Sequence, residues 1–142
     1  MDCARRQELV RDMALELVAA APDGWASMEY RYDKIGRVGA CENFVTFADG
    51  TTKRIRHPRS VDKRARSLKD EMYQKGTGTW FGMSVLVAGP GEFTAEFHYD
   101  KELGVHPLPP SPESYVFELA KFPRDDDAVS DWLREMIGRA RG

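Results

Sequence analysis

One apolar run, WFGMSVLVA at positions 80–88, constrains the fold of this chain more than any other segment. It is followed by Gly89-Pro90-Gly91, a combination of residues that is typical of a turn. Beyond that turn, residues 92–100 alternate between apolar and polar side chains, as in a strand with one buried face. The pattern predicts an antiparallel pair of strands, with the 80–88 strand central in its sheet.

The first half of the chain predicts three further strands and two helices. Alternation marks a strand over 25–33, another covers 40–48, and Asp49-Gly50 is a strong hairpin signal leading into a strand over 51–56. Apolar residues at helical spacing predict a helix over 3–21. A second helix over 60–75 has Ser60 as its expected N-cap.

The C-terminal part predicts two helices that follow a proline-containing connection. Ser111-Pro112 is a typical helix start, because proline suits the first helical position. Asp125-Asp126-Asp127 is expected to open the last helix, where carboxylates stabilise the positive end of the dipole. The element order α-β-β-β-α-β-β-α-α indicates an α+β fold with a largely antiparallel sheet of about five strands.

A chain of 142 residues has the usual size of one domain, so we expect residues 1–142 to form a single domain. Most of its best-buried side chains should come from the apolar strand, its hairpin partner and the closing helix. Those residues are Trp80, Phe81, Val85, Val87, Phe93, Phe97 and Trp132.

Cysteine usage and the absence of targeting segments predict a reduced, cytoplasmic setting. The two cysteines, Cys3 and Cys41, have no Cys or His neighbours at zinc-binding spacing. The N-terminal sequence MDCARRQELV has no apolar signal region, and no run reaches the length of a membrane span. We therefore expect a soluble protein with no metal, no cofactor and no membrane contact.

Charge is distributed unevenly, although the formal net charge is only -2. Residues 53–75 contain nine Lys or Arg and three Asp or Glu, whereas residues 92–135 contain eleven Asp or Glu and four Lys or Arg. The sequence predicts one basic and one acidic face. Solvated helix faces are the other interpretation of such runs.

No arrangement of residues typical of catalysis stands out. His98 and Asp100 share a strand face and, with Glu102, form a candidate metal site, but a solvent-facing strand end explains them more simply. The glycine-containing turns lack the spacing of phosphate-binding loops. The sequence therefore argues against an enzyme and favours a binding protein.

The basic 53–75 segment supports an alternative, a non-catalytic scaffold or a nucleic-acid accessory module that contacts phosphates. Against direct nucleic-acid binding, the segment has no helix-turn-helix pattern and no aromatic residues interleaved with its basic ones.

The second half carries a series of short motifs. They are GTWFGMSV at 78–85, GEFTAEFHYD at 91–100, PESY at 112–115, Glu118-Leu119, FPRD at 122–125 and Trp132-Leu133. In these motifs and their order, the chain resembles the YezG-like immunity (antitoxin) family of polymorphic toxin systems. The resemblance covers residues 78–135, and the first half agrees in layout only. Two departures are Asp131, where members often have proline, and 101–103, where they often have an acidic pair with proline.

The resemblance implies a protein that binds a cognate toxin domain inside the cell and blocks its activity. Many such toxins are nucleases with basic clefts, so an acidic surface would speed encounter and mimic a phosphate backbone. Tyr99 and Leu103 are the candidate anchors, since an interface also needs a buried apolar contact. The predicted toxin-binding residues are Glu96, Tyr99, Asp100, Glu102, Leu103, Asp125, Asp126 and Asp127.

Overall fold

A computed structural model of the chain describes residues 2–100 and 109–142. Within these residues, four α-helices and five strands follow one another in the predicted order, and one short 3-10 helix lies between the last two helices. They are α1 (Cys3–Ala19), β1 (Trp25–Ile35), β2 (Val38–Phe47), β3 (Thr52–Arg54), α2 (Arg59–Glu71), β4 (Gly82–Gly89), β5 (Glu92–His98), α3 (Pro112–Lys121), the 3-10 helix Asp126–Ala128, and α4 (Asp131–Arg141).

The strands form one antiparallel sheet in the order β3-β2-β1-β4-β5, which confirms the α+β prediction. The middle strand is β1, and the apolar strand β4 is an interior strand beside it, as the sequence predicts. β1 is in the middle because it pairs with β2 in a hairpin on one edge and with β4 of the second hairpin on the other. Met28, for example, pairs with Val45 of β2 and with Val87 of β4. β4 lies between β1 and β5, and both of its edges are hydrogen-bonded.

The larger core lies between one face of the sheet and helices α1 and α2. Alternate residues of the three inner strands point into it, and the apolar stripes of both helices cover them. Its buried members include Met13, Leu17, Met28, Tyr30, Val45, Val61, Leu68, Trp80, Val85 and Val87. The prediction of the best-buried residues is therefore wrong in part: Phe93 and Phe97 lie at the margin of this core because β5 is an edge strand, Trp132 is also only partly buried, and α1, β1 and α2 supply most of the core instead.

A smaller core lies on the other side, where α3 and α4 cover one end of the sheet. Ile35, Phe81, Tyr115 and Leu133 are its buried members, and Trp132 packs edge-on against the rings of Phe81 and Tyr115. The neighbours Trp80 and Phe81 therefore point into different cores, and both are fully buried. Both side chains can be buried because α1 and α2 cover one face of the sheet and α3 and α4 cover the other face at this end.

Two helix starts differ from the sequence predictions. Pro58 occupies the N-cap position of α2, and Ser60 lies inside the first turn, where its hydroxyl donates to Glu16 Oε2 at 3.1 Å. Asp125, Asp126 and Asp127 belong to the separate 3-10 turn, and Ser130 precedes α4. The extended backbone of Val129 (φ -104°, ψ 113°) separates the two, because it cannot continue a helix.

Candidate functional site

The end of β5 and the 3-10 turn are held together at one end of the sheet. Arg124, which precedes the turn, donates from Nη2 to the carbonyl oxygens of Tyr99 (2.8 Å) and Thr79 (3.0 Å). The Trp132 indole donates to the carbonyl of Asp100 at 3.2 Å. These bonds join the end of β5 to a distant segment of the chain: Tyr99 and Arg124 are 25 positions apart in sequence.

We call the exposed carboxylates of this region, Asp100, Asp125, Asp126 and Asp127, the acidic rim. All four residues are exposed, and in the described part of the chain none of their carboxylates takes part in an ion pair. Arg134 fixes the backbone beneath them, donating to the carbonyls of Asp126 (3.0 Å) and Val129 (3.3 Å). The rim thus combines a fixed backbone with negative charges that face solvent.

The other predicted toxin-binding residues have different positions. Tyr99 adjoins the rim and is 36% exposed. Glu96 lies on the sheet face opposite the larger core, paired with Ser84, and is exposed. Glu102 and Leu103 fall outside the described residues. The structure therefore brings Tyr99, Asp100 and the three aspartates of the turn together and leaves Glu96 on the neighbouring face.

A basic groove of about 500 Å³ opens on another part of the surface, between the β1–β2 turn, α2 and α3. Lys34, Arg37, Arg66 and Lys121 line it together with Phe117, which is half exposed. The Arg37 guanidinium lies 4.6 Å above the centre of the Phe117 ring. The groove can attract an anionic group and offers an apolar surface beside it.

A buried ion pair forms the floor of this groove. Lys69 Nζ donates to Glu118 Oε2 at 2.7 Å and to the Trp80 carbonyl at 2.5 Å, and the two side chains are only 3% and 2% exposed. Glu118 Oε1 accepts from the Gly36 amide at 2.9 Å. Burial lowers the pKa of Lys69, and the adjacent Glu118 carboxylate opposes that shift. The pair joins α2, α3 and the β1–β2 turn.

Three of the nine basic residues of the 53–75 segment form ion pairs with other parts of the protein, and one of the three is buried. Lys69 is buried, Arg54 pairs with Glu42 at 3.1 Å, and Arg64 bonds to Glu16 of α1 at 3.2 Å. The other basic residues of the segment are exposed. They are Lys53, Arg56, Arg59, Lys63, Arg66 and Lys75.

A third feature is a cluster of Cys41, His57 and Asp62, which sequence reasoning missed. One potential ligand atom from each residue lies within 4.8 Å of the others. His57 Nε2 lies 2.8 Å from Asp62 Oδ1, and that oxygen also accepts from the Tyr30 hydroxyl at 2.5 Å. No spacing motif links positions 41, 57 and 62, because they belong to β2, the β3–α2 connection and α2. Within the described residues it is the one group of this kind, and His98 and Asp100 are not part of one.

The electrostatics of this cluster do not suit a nucleophilic thiol. Desolvation, with a further contribution from Asp62, raises the pKa of Cys41 to about 11, so the thiol is protonated at neutral pH. A cysteine nucleophile requires the opposite shift, toward the thiolate. Burial also raises the pKa of Tyr30, which therefore remains a hydrogen-bond donor to Asp62.

A scan against models of known protein families and a search of curated proteins each find no match to this chain. The resemblance to the YezG-like family therefore remains a prediction from the motifs themselves. In the described part of the chain, no helix combines the length and apolar character needed to cross a membrane.

Proposed function

We propose that this protein is an immunity protein that binds a cognate toxin domain inside the cell and neutralises it by stoichiometric binding. The acidic rim carries the proposal: four exposed carboxylates on a backbone that Arg124, Trp132 and Arg134 hold in place. A preorganised surface loses little conformational entropy when a partner binds.

Electrostatic complementarity gives the rim its expected role. A toxin that cleaves nucleic acid has a basic cleft to hold phosphates, and an acidic surface matches that cleft. Exposed charges of this kind mainly accelerate association and contribute little affinity each. Tyr99, at the edge of the rim and partly exposed, is the aromatic side chain best placed to supply the apolar contact that a hot spot requires.

Co-expression with the toxin domain encoded by the neighbouring gene tests this function. We expect the full chain to restore growth of cells that make the toxin and to co-purify with it in equal amounts. A toxin of unrelated sequence, which the protein should not neutralise, is the control. Persistent killing together with the absence of a complex would refute the proposal.

The basic groove supports a second candidate, an accessory module that binds an anionic partner such as nucleic acid. Lys34, Arg37, Arg66 and Lys121 around one opening favour it. Binding to random-sequence RNA or DNA that weakens steeply with salt would support this candidate, because phosphate contacts release counterions. Neutralising the groove with Arg37→Ser and Arg66→Ser would then abolish the binding.

A further inference from the structure

We propose that Cys41, His57 and Asp62 form a binding site for a divalent transition-metal ion of the zinc type, with one coordination position open to solvent. The proposal is independent of the immunity function. It rests on three observations: the three side chains offer different donor atoms, these atoms lie within 4.8 Å of one another, and the Tyr30 hydroxyl hydrogen-bonds to Asp62.

The donors lie close to the separations that a tetrahedral ion needs. Zinc bonds of about 2.0 Å to nitrogen or oxygen and about 2.3 Å to sulfur place the ligand atoms roughly 3.3–3.6 Å from one another. Here His57 Nε2 and Asp62 Oδ1 are 2.8 Å apart, and all three ligand atoms lie within 4.8 Å. For all three atoms to bind one ion, the distance between His57 Nε2 and Asp62 Oδ1 must open, and any separation near 4.8 Å must shorten.

Tyr30 lies behind the site and contacts two of the proposed ligands, as residues around metal centres do. Tyr30 is fully buried, and its hydroxyl holds Asp62 while its ring contacts the His57 ring edge-on at 5.2 Å. Such outer contacts fix the direction of the ligating groups and are worth a large part of metal affinity. His57 and Asp62 are only partly exposed, whereas Cys41 is exposed and gives the ion a route of entry.

The donor set selects the metal. A thiolate, an imidazole and a carboxylate together suit zinc, cobalt or nickel, whereas calcium and magnesium require oxygen ligands. On binding, the Cys41 thiol loses its proton to solvent and the sulfur forms a bond to the metal. Cys41, His57 and Asp62 line one cleft together with Glu42, Arg54 and Arg56, so water or a small anion from that cleft is the expected fourth ligand.

Binding would connect three segments that are separate in sequence: strand β2, the connection around His57 and the first turn of α2. An ion bound by the folded protein alone stabilises it as its concentration rises. We therefore expect zinc to raise the Tm of the protein in a concentration-dependent manner, and this gives a readout that needs no partner.

Cobalt titration of the purified, chelator-treated full chain tests the site. We expect one equivalent to produce a thiolate-to-cobalt charge-transfer band and the visible bands of tetrahedral cobalt, and zinc to displace it. Cys41→Ser should abolish the charge-transfer band, and His57→Gln and Asp62→Asn should each weaken binding at least about tenfold. Tyr30→Phe should weaken it by about tenfold or more through Asp62.

Cys3→Ser is the matched control, because Cys3 is the other exposed thiol and lies in α1. It should bind cobalt and zinc as the unchanged protein does. A band that is missing from the unchanged protein, or that persists in Cys41→Ser, would overturn the proposal. Circular dichroism of each variant establishes that it is folded, and the exposed Cys41→Ser change gives the decisive comparison even if the Tyr30 or His57 variant unfolds.

Discussion

Replacing Lys69 with Met is expected to lower the free energy of unfolding by about 3–5 kcal/mol, because it leaves the Glu118 carboxylate buried without a cation. Glu118 is 2% exposed and loses its 2.7 Å partner, while the Trp80 carbonyl loses a donor. Urea denaturation followed by fluorescence measures the change. Arg139→Met is the control: its pair with Glu135 has a similar length, 2.8 Å, but both side chains are more than 60% exposed, so the loss should stay below about 1 kcal/mol.

The double variant Lys69→Met/Glu118→Met separates the cost of an unpaired charge from the contribution of the pair. Replacing both groups with apolar side chains removes the buried charge, so part of the stability should return. The recovery should be incomplete, since the Gly36 amide and the Trp80 carbonyl then lack partners. A Lys69→Met protein as stable as the control variant would show that the ion pair does not stabilise this junction.

Reversing charge on the acidic rim with Asp100→Lys and Asp126→Lys is expected to slow association with the toxin by about tenfold or more at low ionic strength. Dissociation should change far less, and the difference should shrink as salt screens the charges. Stopped-flow fluorescence at several salt concentrations measures both rates. Both positions are exposed, and their carboxylates make no ion pair among the described residues, so the variant should fold.

Asp23→Lys/Glu92→Lys is the matched control for the rim, because it changes net charge by the same amount at the opposite end of the sheet. Asp23 precedes the first residue of β1, and Glu92 begins β5, whereas the rim follows the end of β5. The control should associate at nearly the unchanged rate. Equal slowing of both variants would mean that association depends only on the net charge of the protein. Unchanged association rates in both would show that the toxin binds another surface, and the basic groove would be the next candidate.

The fold was predictable from the sequence wherever its cause is local. The alternation of Met28, Tyr30 and Tyr32 along β1, the Asp49-Gly50 turn and the apolar stripe of α1 each act within a few residues. The prediction for the last helix failed at Asp125–Asp127 because carboxylates suit any helical start, and the sequence does not reveal the extended Val129 that follows.

The site was less predictable, because its parts meet only through tertiary structure. Lys69 and Glu118 are charged residues that patterning assigns to the surface, and 49 positions separate them. The Cys41, His57 and Asp62 cluster likewise depends on β2 lying beside the start of α2. Acidic composition did indicate the rim residues. Arg124 holds the end of β5 beside the 3-10 turn by donating to two carbonyl oxygens. Those two acceptors cannot be inferred from the neighbours of Arg124 in sequence.

The central claim, stoichiometric neutralisation of a toxin, is tested most directly by titrating the purified protein into a fixed amount of active toxin domain. At concentrations well above the dissociation constant, toxin activity should fall in proportion to the added protein and reach zero at one equivalent. The Asp100→Lys/Asp126→Lys variant should need longer incubation to reach the same end point. Full toxin activity in the presence of several equivalents of folded protein would contradict the account.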